Sequence, residues 1–156
     1  MKQNVIIGFM LIVALSACGG RGGSNVTDVV NTGSLELDGT WISNCYYDDE
    51  GVYTIDEFTF SGNSFEARYE SFNNSSCLGS PLESDSAGGT FTVGNTIIAS
   101  SGLEAVEVDF IISYQGEIFT ALDLIRQEGD QFYYGEFNGS SSRPIDLNFD
   151  IVLVKQ

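Results

Sequence analysis

Apolar side chains in this sequence recur at every second position, and that spacing restricts the fold to β-sheet. Phe65, Ala67 and Tyr69 alternate with Ser64, Glu66, Arg68 and Glu70. Val106, Val108, Phe110, Ile112 and Tyr114 alternate with Glu107, Asp109 and Ser113, and Ile145, Leu147, Phe149, Ile151 and Leu153 with Asp146, Asn148 and Asp150. Such segments are half-buried strands, one face in a core and one in water. Less regular strands are predicted at 40–47, 52–60, 88–93, 96–99, 117–127 and 131–137. Helical spacing competes only over 117–127, where Ile118, Leu122 and Ile125 also fit it.

Hairpin signals lie between these runs: Ser61-Gly62-Asn63, Gly94-Asn95, Gln115-Gly116 and Glu128-Gly129-Asp130. Gly and Asn supply the positive φ that tight hairpins need. Short hairpins in series make an antiparallel meander. Roughly nine strands cannot stay flat and soluble with both edges free. The expected fold is therefore all-β, a single antiparallel meander closed into an 8–9-stranded up-and-down barrel. A β-sandwich is the alternative. Residues 71–87 interrupt the rhythm and read as a long polar loop.

The N-terminus has another character. Lys2 is followed by an unbroken apolar run from Val5 to Leu15. The run is too short to span a bilayer, which takes about 20 residues. A charged start, a short apolar core and small residues beyond it describe a secretory signal. The run closes on Leu15-Ser16-Ala17-Cys18, which resembles the lipobox of bacterial lipoproteins. The resemblance implies cleavage before Cys18, diacylglycerol on its thiol and fatty acylation, for example by palmitate, of the new amino terminus. Several acyl chains give stable anchoring where one binds only marginally. Gly19 and Gly20 follow, without the Asp that favours inner-membrane retention in lipoproteins of enteric-type bacteria, so the expected address is the cell envelope, at the outer membrane. The chain then divides into a signal peptide (1–17), a lipidated Gly/Ser/Asn-rich tether (18–34) of flexible composition, and a folded domain (35–156).

Removing residues 1–17 leaves 139, enough for one domain with a core. It also leaves five basic against 22 acidic side chains, a formal charge of −17. That balance argues against nucleic acid as a partner. It suits a soluble, self-repelling surface or a cationic protein partner. With Cys18 taken by lipid, Cys45 and Cys77 form an even pair in an oxidising compartment, and a disulfide is expected. It would pin the 71–87 loop to the first strand.

Gly39-Thr40-Trp41 opens the domain and resembles the Gly-x-Trp of lipocalins, whose tryptophan packs across the barrel floor. The resemblance implies a basic side chain from a late strand stacked on Trp41, with Arg126 or Arg143 as candidates. The lipobox together with the barrel is similar to bacterial outer-membrane lipocalins. Residues 38–156 also resemble small marine-bacterial lipoproteins, through Gly-Thr-Trp with a nearby cysteine, Thr-Phe-Ser-Gly-Asn at 59–63, a second cysteine and Arg143-Pro144. A further likeness is to disulfide-bonded periplasmic lysozyme inhibitors.

The chain has no histidine, which removes Ser-His-Asp and Cys-His catalysis and the common zinc sites. No phosphate-cradling motif occurs. No catalytic residue, metal or cofactor is expected, and the domain reads as non-enzymatic. Asp48-Asp49-Glu50-Gly51 is the densest acidic run. It lacks the spacing of a dedicated calcium loop and reads as a solvated turn, with Ca²⁺ the alternative. Aromatic residues concentrate in the first, second and penultimate strands: Tyr46, Tyr47, Tyr53, Phe58, Phe60, Phe132, Tyr133, Tyr134 and Phe137. They either fill the barrel or line a pocket. The candidate ligand-binding set is Trp41, Tyr53, Phe58, Phe60 and Tyr134, for a small apolar or amphipathic ligand. The opposing readings are an acidic protein-binding or inhibitor module and a structural envelope protein.

Overall fold

A computed structural model describes residues 35–48, 50–135 and 142–156. The signal peptide, Cys18, the tether, Asp49 and Phe137 lie outside these residues. Among the described residues every regular element is a strand: β1 (Gly39–Ser43), β2 (Tyr46–Tyr47), β3 (Tyr53–Ser61), β4 (Ser64–Phe72), β5 (Glu83–Ile98), β6 (Glu104–Tyr114), β7 (Glu117–Glu128), β8 (Gln131–Tyr134) and β9 (Leu153–Lys155). The antiparallel sheet runs β1-β9-β8-β7-β6-β5-β4-β3, and β1 pairs again with β3. Eight strands thus form a closed meander barrel, and the sandwich alternative is set aside. The ninth strand, β2, continues the line of β1 along β3.

Turn chemistry fixes the register. Gly62, at φ 60°, lets Ser61 pair with Ser64 across a two-residue turn. At the β6–β7 turn both Gln115 and Gly116 take positive φ, and Tyr114 pairs with Glu117.

Alternation holds along the strands. Phe60, Phe65, Phe91, Phe110 and Phe132 point inward and pack with Trp41, Ile125, Val108 and Leu153. Their rings meet mostly edge to face: Phe60 and Phe91 at 5.4 Å, Phe65 and Phe110 at 5.1 Å, Trp41 and Phe132 at 5.8 Å. A smaller cluster on the outer face joins Ala99, Ala105, Leu124 and Leu147.

Four sequence expectations are corrected. The 40–47 run is broken: between the pairs Ile42↔Glu57 and Tyr46↔Thr54 lie three residues on one side and two on the other. Ser43 Oγ accepts the Asp56 N–H at this bulge, at 2.8 Å. Residues 88–93 and 96–99 are one strand, not two. Gly94-Asn95 is a bulge in which two residues oppose Glu107, and a Cβ on Gly94 would lie 3.2 Å from the Glu107 Cβ. The 71–87 loop shrinks to 73–82, because β4 and β5 extend toward each other along Tyr69↔Asp85 and Ser71↔Glu83. These positions carry polar side chains on both faces, so periodicity could not reveal them.

Residues 145–153 are not a strand. Only Leu153–Lys155 joins the sheet, and Leu147 alone of the preceding segment is buried, through a bridge to Gly135. Asp146 and Asn148 take the backbone N–H of Leu147 and Asp150 on their own side chains, which competes with a ladder.

Candidate functional site

The barrel interior is divided lengthwise. At one end the rings leave no room. Trp41 is wholly buried, and its indole N–H donates to the Leu37 carbonyl at 2.6 Å. A cation does sit over that ring, but it is Lys155 Nζ, 5.2 Å from the centroid, and not Arg126 or Arg143. Arg126 pairs with Glu128, and Arg143 with Glu107 and Asp109. Lys155 reaches Trp41 because the two are register partners across β1 and β9.

Toward the other end the inward faces turn polar. Along β3 the interior series is Thr54, Asp56, Phe58, Phe60; along β4 it is Ser71, Tyr69, Ala67, Phe65. Gly88 and Gly89 of β5 lie beside Phe65 and Glu66, and a Cβ on Gly89 would stand 1.9 Å from the Ile111 carbonyl oxygen. The space left open is a cup. One part, of about 280 Å³, has Asp56, Phe58, Ala67, Arg68, Tyr69, Asp85, Ser86, Ala87 and Tyr114 in its walls. An adjoining part at the rim, of about 440 Å³, is lined by Tyr46, Asp48, Glu50, Tyr69, Glu83 and Asp85.

Three carboxylates of the cup, the buried Asp56 and the more open Asp48 and Asp85, each accept from a tyrosine. Asp56 Oδ2 accepts from Tyr46 at 2.9 Å and from Tyr134 at 3.1 Å. Asp48 Oδ2 accepts from Thr54 at 2.8 Å and from Tyr69 at 3.2 Å, while its Oδ1 takes the N–H groups of Glu50 and Val52. Asp85 accepts from Tyr114. The Asp48 side chain thus organises the turn that carries Glu50, Gly51 and Val52. Among the described residues, no group of three or more Cys, Asp or Glu side chains is arranged to hold a metal ion.

These contacts set the protonation chemistry. Burial raises Asp56 above the usual carboxylate range, against the two tyrosine hydrogen bonds. Tyr46 and Tyr134 are driven well above the ordinary phenol value by burial and by the Asp56 charge, so both remain donors. Burial would raise Asp48, but hydrogen bonds from Thr54, Val52, Glu50 and Tyr69 outweigh it and hold Asp48 below its ordinary value. The Tyr114 hydrogen bond lowers Asp85.

Phe119 is the register partner of Ile112, which packs against the core, so both face inward. Phe119 is nevertheless 45% exposed.

The candidate ligand residues therefore separate. Trp41 and Phe60 are the packed floor and not walls of a pocket. Phe58 lines the cup and stacks on Phe60 at 6.0 Å. Tyr134 closes the cup's base through Asp56. Tyr53 lies on the opposite face of β3 from Thr54 and Phe58, against the exposed Tyr47 ring at 5.1 Å. The sequence reading missed Asp56, Tyr69, Asp85 and Tyr114. The signal for Asp56 was present: an acid at an even position among Thr54, Phe58 and Phe60 falls on the buried face. Cys45 and Cys77 are disulfide-bonded, as the cysteine count required. No family model matches this chain, and a comparison with curated proteins finds no match.

Proposed function

We propose that this chain is a lipid-anchored envelope protein whose barrel is a non-enzymatic binding module for a small amphipathic ligand. The observation that carries the reading is the two-sided lining of the cup. Phe58 and Ala67 offer apolar surface beside the hydroxyls of Tyr69 and Tyr114, the carboxylates of Asp56 and Asp85, and Arg68. Pockets that combine an apolar wall with a few convergent polar groups suit ligands of mixed character. The ligand enters from the rim, because the Trp41 end is filled.

The anchor is the lipid on Cys18, read from Leu15-Ser16-Ala17-Cys18. Tethering by residues 18–34 would hold the cup near a bilayer, where amphipathic molecules concentrate. The test is native mass spectrometry of the full-length protein extracted from envelopes in a mild detergent. The expected spectrum shows a diacylglyceryl-cysteine N-terminus and a second, releasable small molecule. A protein starting at Met1 would overturn the anchor. An anchored protein carrying nothing, and taking up no added amphiphile, would overturn the ligand.

A second reading, a protein-binding or inhibitor module, draws on the outer face of the β6–β7 hairpin. Ile111 and Ile118 stand 51% and 75% exposed there, in a chain of strong negative charge. It calls for capture of a basic protein that weakens with salt and is lost in Ile118→Ser.

A further inference from the structure

We infer that the filled end of the barrel, away from the cup, carries a site for a phospholipid head that bears both a phosphate and an ammonium. The part of the case that uses the tether rests on the lipid-anchored reading; the part that uses the pocket stands apart from it.

The first feature is a gap in the wall. β4 stops at Ser64, opposite Thr90, whereas β5 runs on to Ile98. Phe91 N–H still reaches the Asn63 carbonyl, at 2.9 Å, but beyond it β5 has no sheet neighbour on that side among the described residues. The alternation of an antiparallel ladder turns the Val93 N–H toward the same gap. A cavity of about 520 Å³ opens there, between β5 and the incoming chain. Leu35, Leu37, Phe91 and Val93 are its apolar lining, and Glu36, Asp38, Gly62 and Lys155 complete it. Val93 is the register partner of the wholly buried Val108, yet it is 47% exposed, because no strand covers it.

The second feature is a base without an acid. Arg68 pairs with Glu70, Arg126 with Glu128, and Arg143 with Glu107 and Asp109, so Lys155 is the one base among the described residues outside an ion pair. Its Nζ stands over Trp41, and its stem passes Gly39, where an added Cβ would lie 3.1 Å from Cε. Two acids line the same pocket without pairing with it: Asp38, whose Oδ1 accepts the Gly62 N–H at 2.8 Å, and the exposed Glu36. Opposite charges held apart in one cavity fit a ligand that carries both. A phosphate meets Lys155 and the Val93 N–H, an ammonium meets Glu36 and Asp38, and the first methylenes lie along Leu35 and Val93. A purely anionic head would face two carboxylates, and a purely cationic one would leave Lys155 unanswered.

The position of the pocket favours the same ligand. The described chain enters the fold here, at Leu35, 17 positions after Cys18. A lipid on Cys18 places bilayer headgroups at high effective concentration beside this end, so a weak individual site suffices.

The experiment titrates the isotope-labelled full-length protein, in a mild non-ionic detergent, and follows its N–H signals by NMR. The probes are dihexanoyl phosphatidylethanolamine, dihexanoyl phosphatidic acid, which lacks the ammonium, and dihexanoyl trimethylammonium-propane, which lacks the phosphate. The first is expected to bind about fivefold more tightly than either of the others, roughly the effect of one partly solvated charge pair. It should move the amides of Phe91 and Val93 and the indole of Trp41, and leave those of Asp85 and Tyr114 in place. Lys155→Gln is expected to abolish the preference over the ammonium probe, and Glu36→Gln to reduce that over the phosphate probe. Glycerophosphoethanolamine, which has no acyl chains, should bind several-fold more weakly; equal binding would make the ligand a free solute and overturn the lipid. Equal affinity for the three lipids, or a preference untouched by both variants, would overturn the headgroup site. Shifts confined to Asp85 and Tyr114 would also overturn it, and leave the cup as the ligand site. No shift at all would overturn it too, while the mass of the N-terminal cysteine judges the anchor separately.

Discussion

The phenol of Tyr134, on β8, donates to the Asp56 carboxylate, on β3, across 3.1 Å, and so links two strands that are not neighbours in the sheet. The hydroxyl of Tyr46 meets the same oxygen at 2.9 Å. Asp56 thereby ties β2, β3 and β8 together at the base of the cup. Tyr134→Phe removes one donor from a buried carboxylate and is expected to cost about 1–2 kcal/mol at pH 7. The lost bond had favoured the charged acid, so the variant's Asp56 titrates still higher. The deficit should be largest in neutral solution and shrink as acidification protonates the group. Urea unfolding of both proteins between pH 4 and pH 8 measures it.

Asp123 predicts the opposite pH behaviour for its variant. Its Oδ1 accepts the N–H groups of Leu124 at 2.7 Å and Gly135 at 2.9 Å, and it is buried. Burial pushes it up to about 6, against those bonds and the nearby Arg143. A carboxyl whose folded value lies above its unfolded one favours folding most below pH 4, and that contribution is lost as pH rises through 6. Asp123→Asn keeps an acceptor for both N–H groups and buries no charge. It should be more stable than the parent at pH 7.5 by roughly 1–3 kcal/mol, with the gain fading toward pH 4. Thermal melts across that range give the comparison, and a gain independent of pH would contradict the assignment.

The Cys45–Cys77 bond joins the break between β1 and β2 to the 73–82 loop across 32 residues of sequence. Its removal by Cys45→Ala/Cys77→Ala should cost about 3–4 kcal/mol, mainly by freeing the unfolded chain. A lowered urea midpoint, matched by the parent protein under reductant, is the expected result.

Gly89 marks a place where a side chain has no room. Its Cβ would fall 1.9 Å from the Ile111 carbonyl oxygen, a backbone atom that cannot swing aside. Gly89→Ala should cost about 2–3 kcal/mol, at the upper end of overpacking effects, or prevent folding. Gly62→Asn is a control at an open turn, where nothing lies within 4 Å of the added Cβ. Expression and melting of the two variants side by side make the test.

Strand content was legible in the sequence wherever a buried face is apolar, as along Phe65-Ala67 or Val108-Phe110-Ile112, because a two-residue period is unambiguous there. It failed where both faces are polar. Glu83 to Ala87 forms the first five residues of a 16-residue strand yet reads as loop, since the inner face there looks into a wet cup. It failed again at Ile145 to Phe149, where the pattern exists but Asp146 and Asn148 take backbone N–H groups on their own side chains and the sheet is joined only from Leu153. The candidate site was half legible for the same reason. Aromatic clustering found Phe58 and Tyr134, together with the floor, but counting aromatics could not separate walls from filling. That separation depends on how strands are staggered around the tube, which emerges only once every register is set. Lys155 shows the limit in another way: the cation over Trp41 comes from three residues of terminal strand, beyond any arginine motif.

The uneven filling of the tube has a dynamic consequence. Amides of β1, β8 and β9 that close over the packed rings should exchange with deuterium only through global unfolding, whereas those of β2 and the start of β5 border water and open by local breathing. The molecule would then behave as a stiff plug carrying a softer lip, able to adjust its mouth to a guest without loosening its foundation.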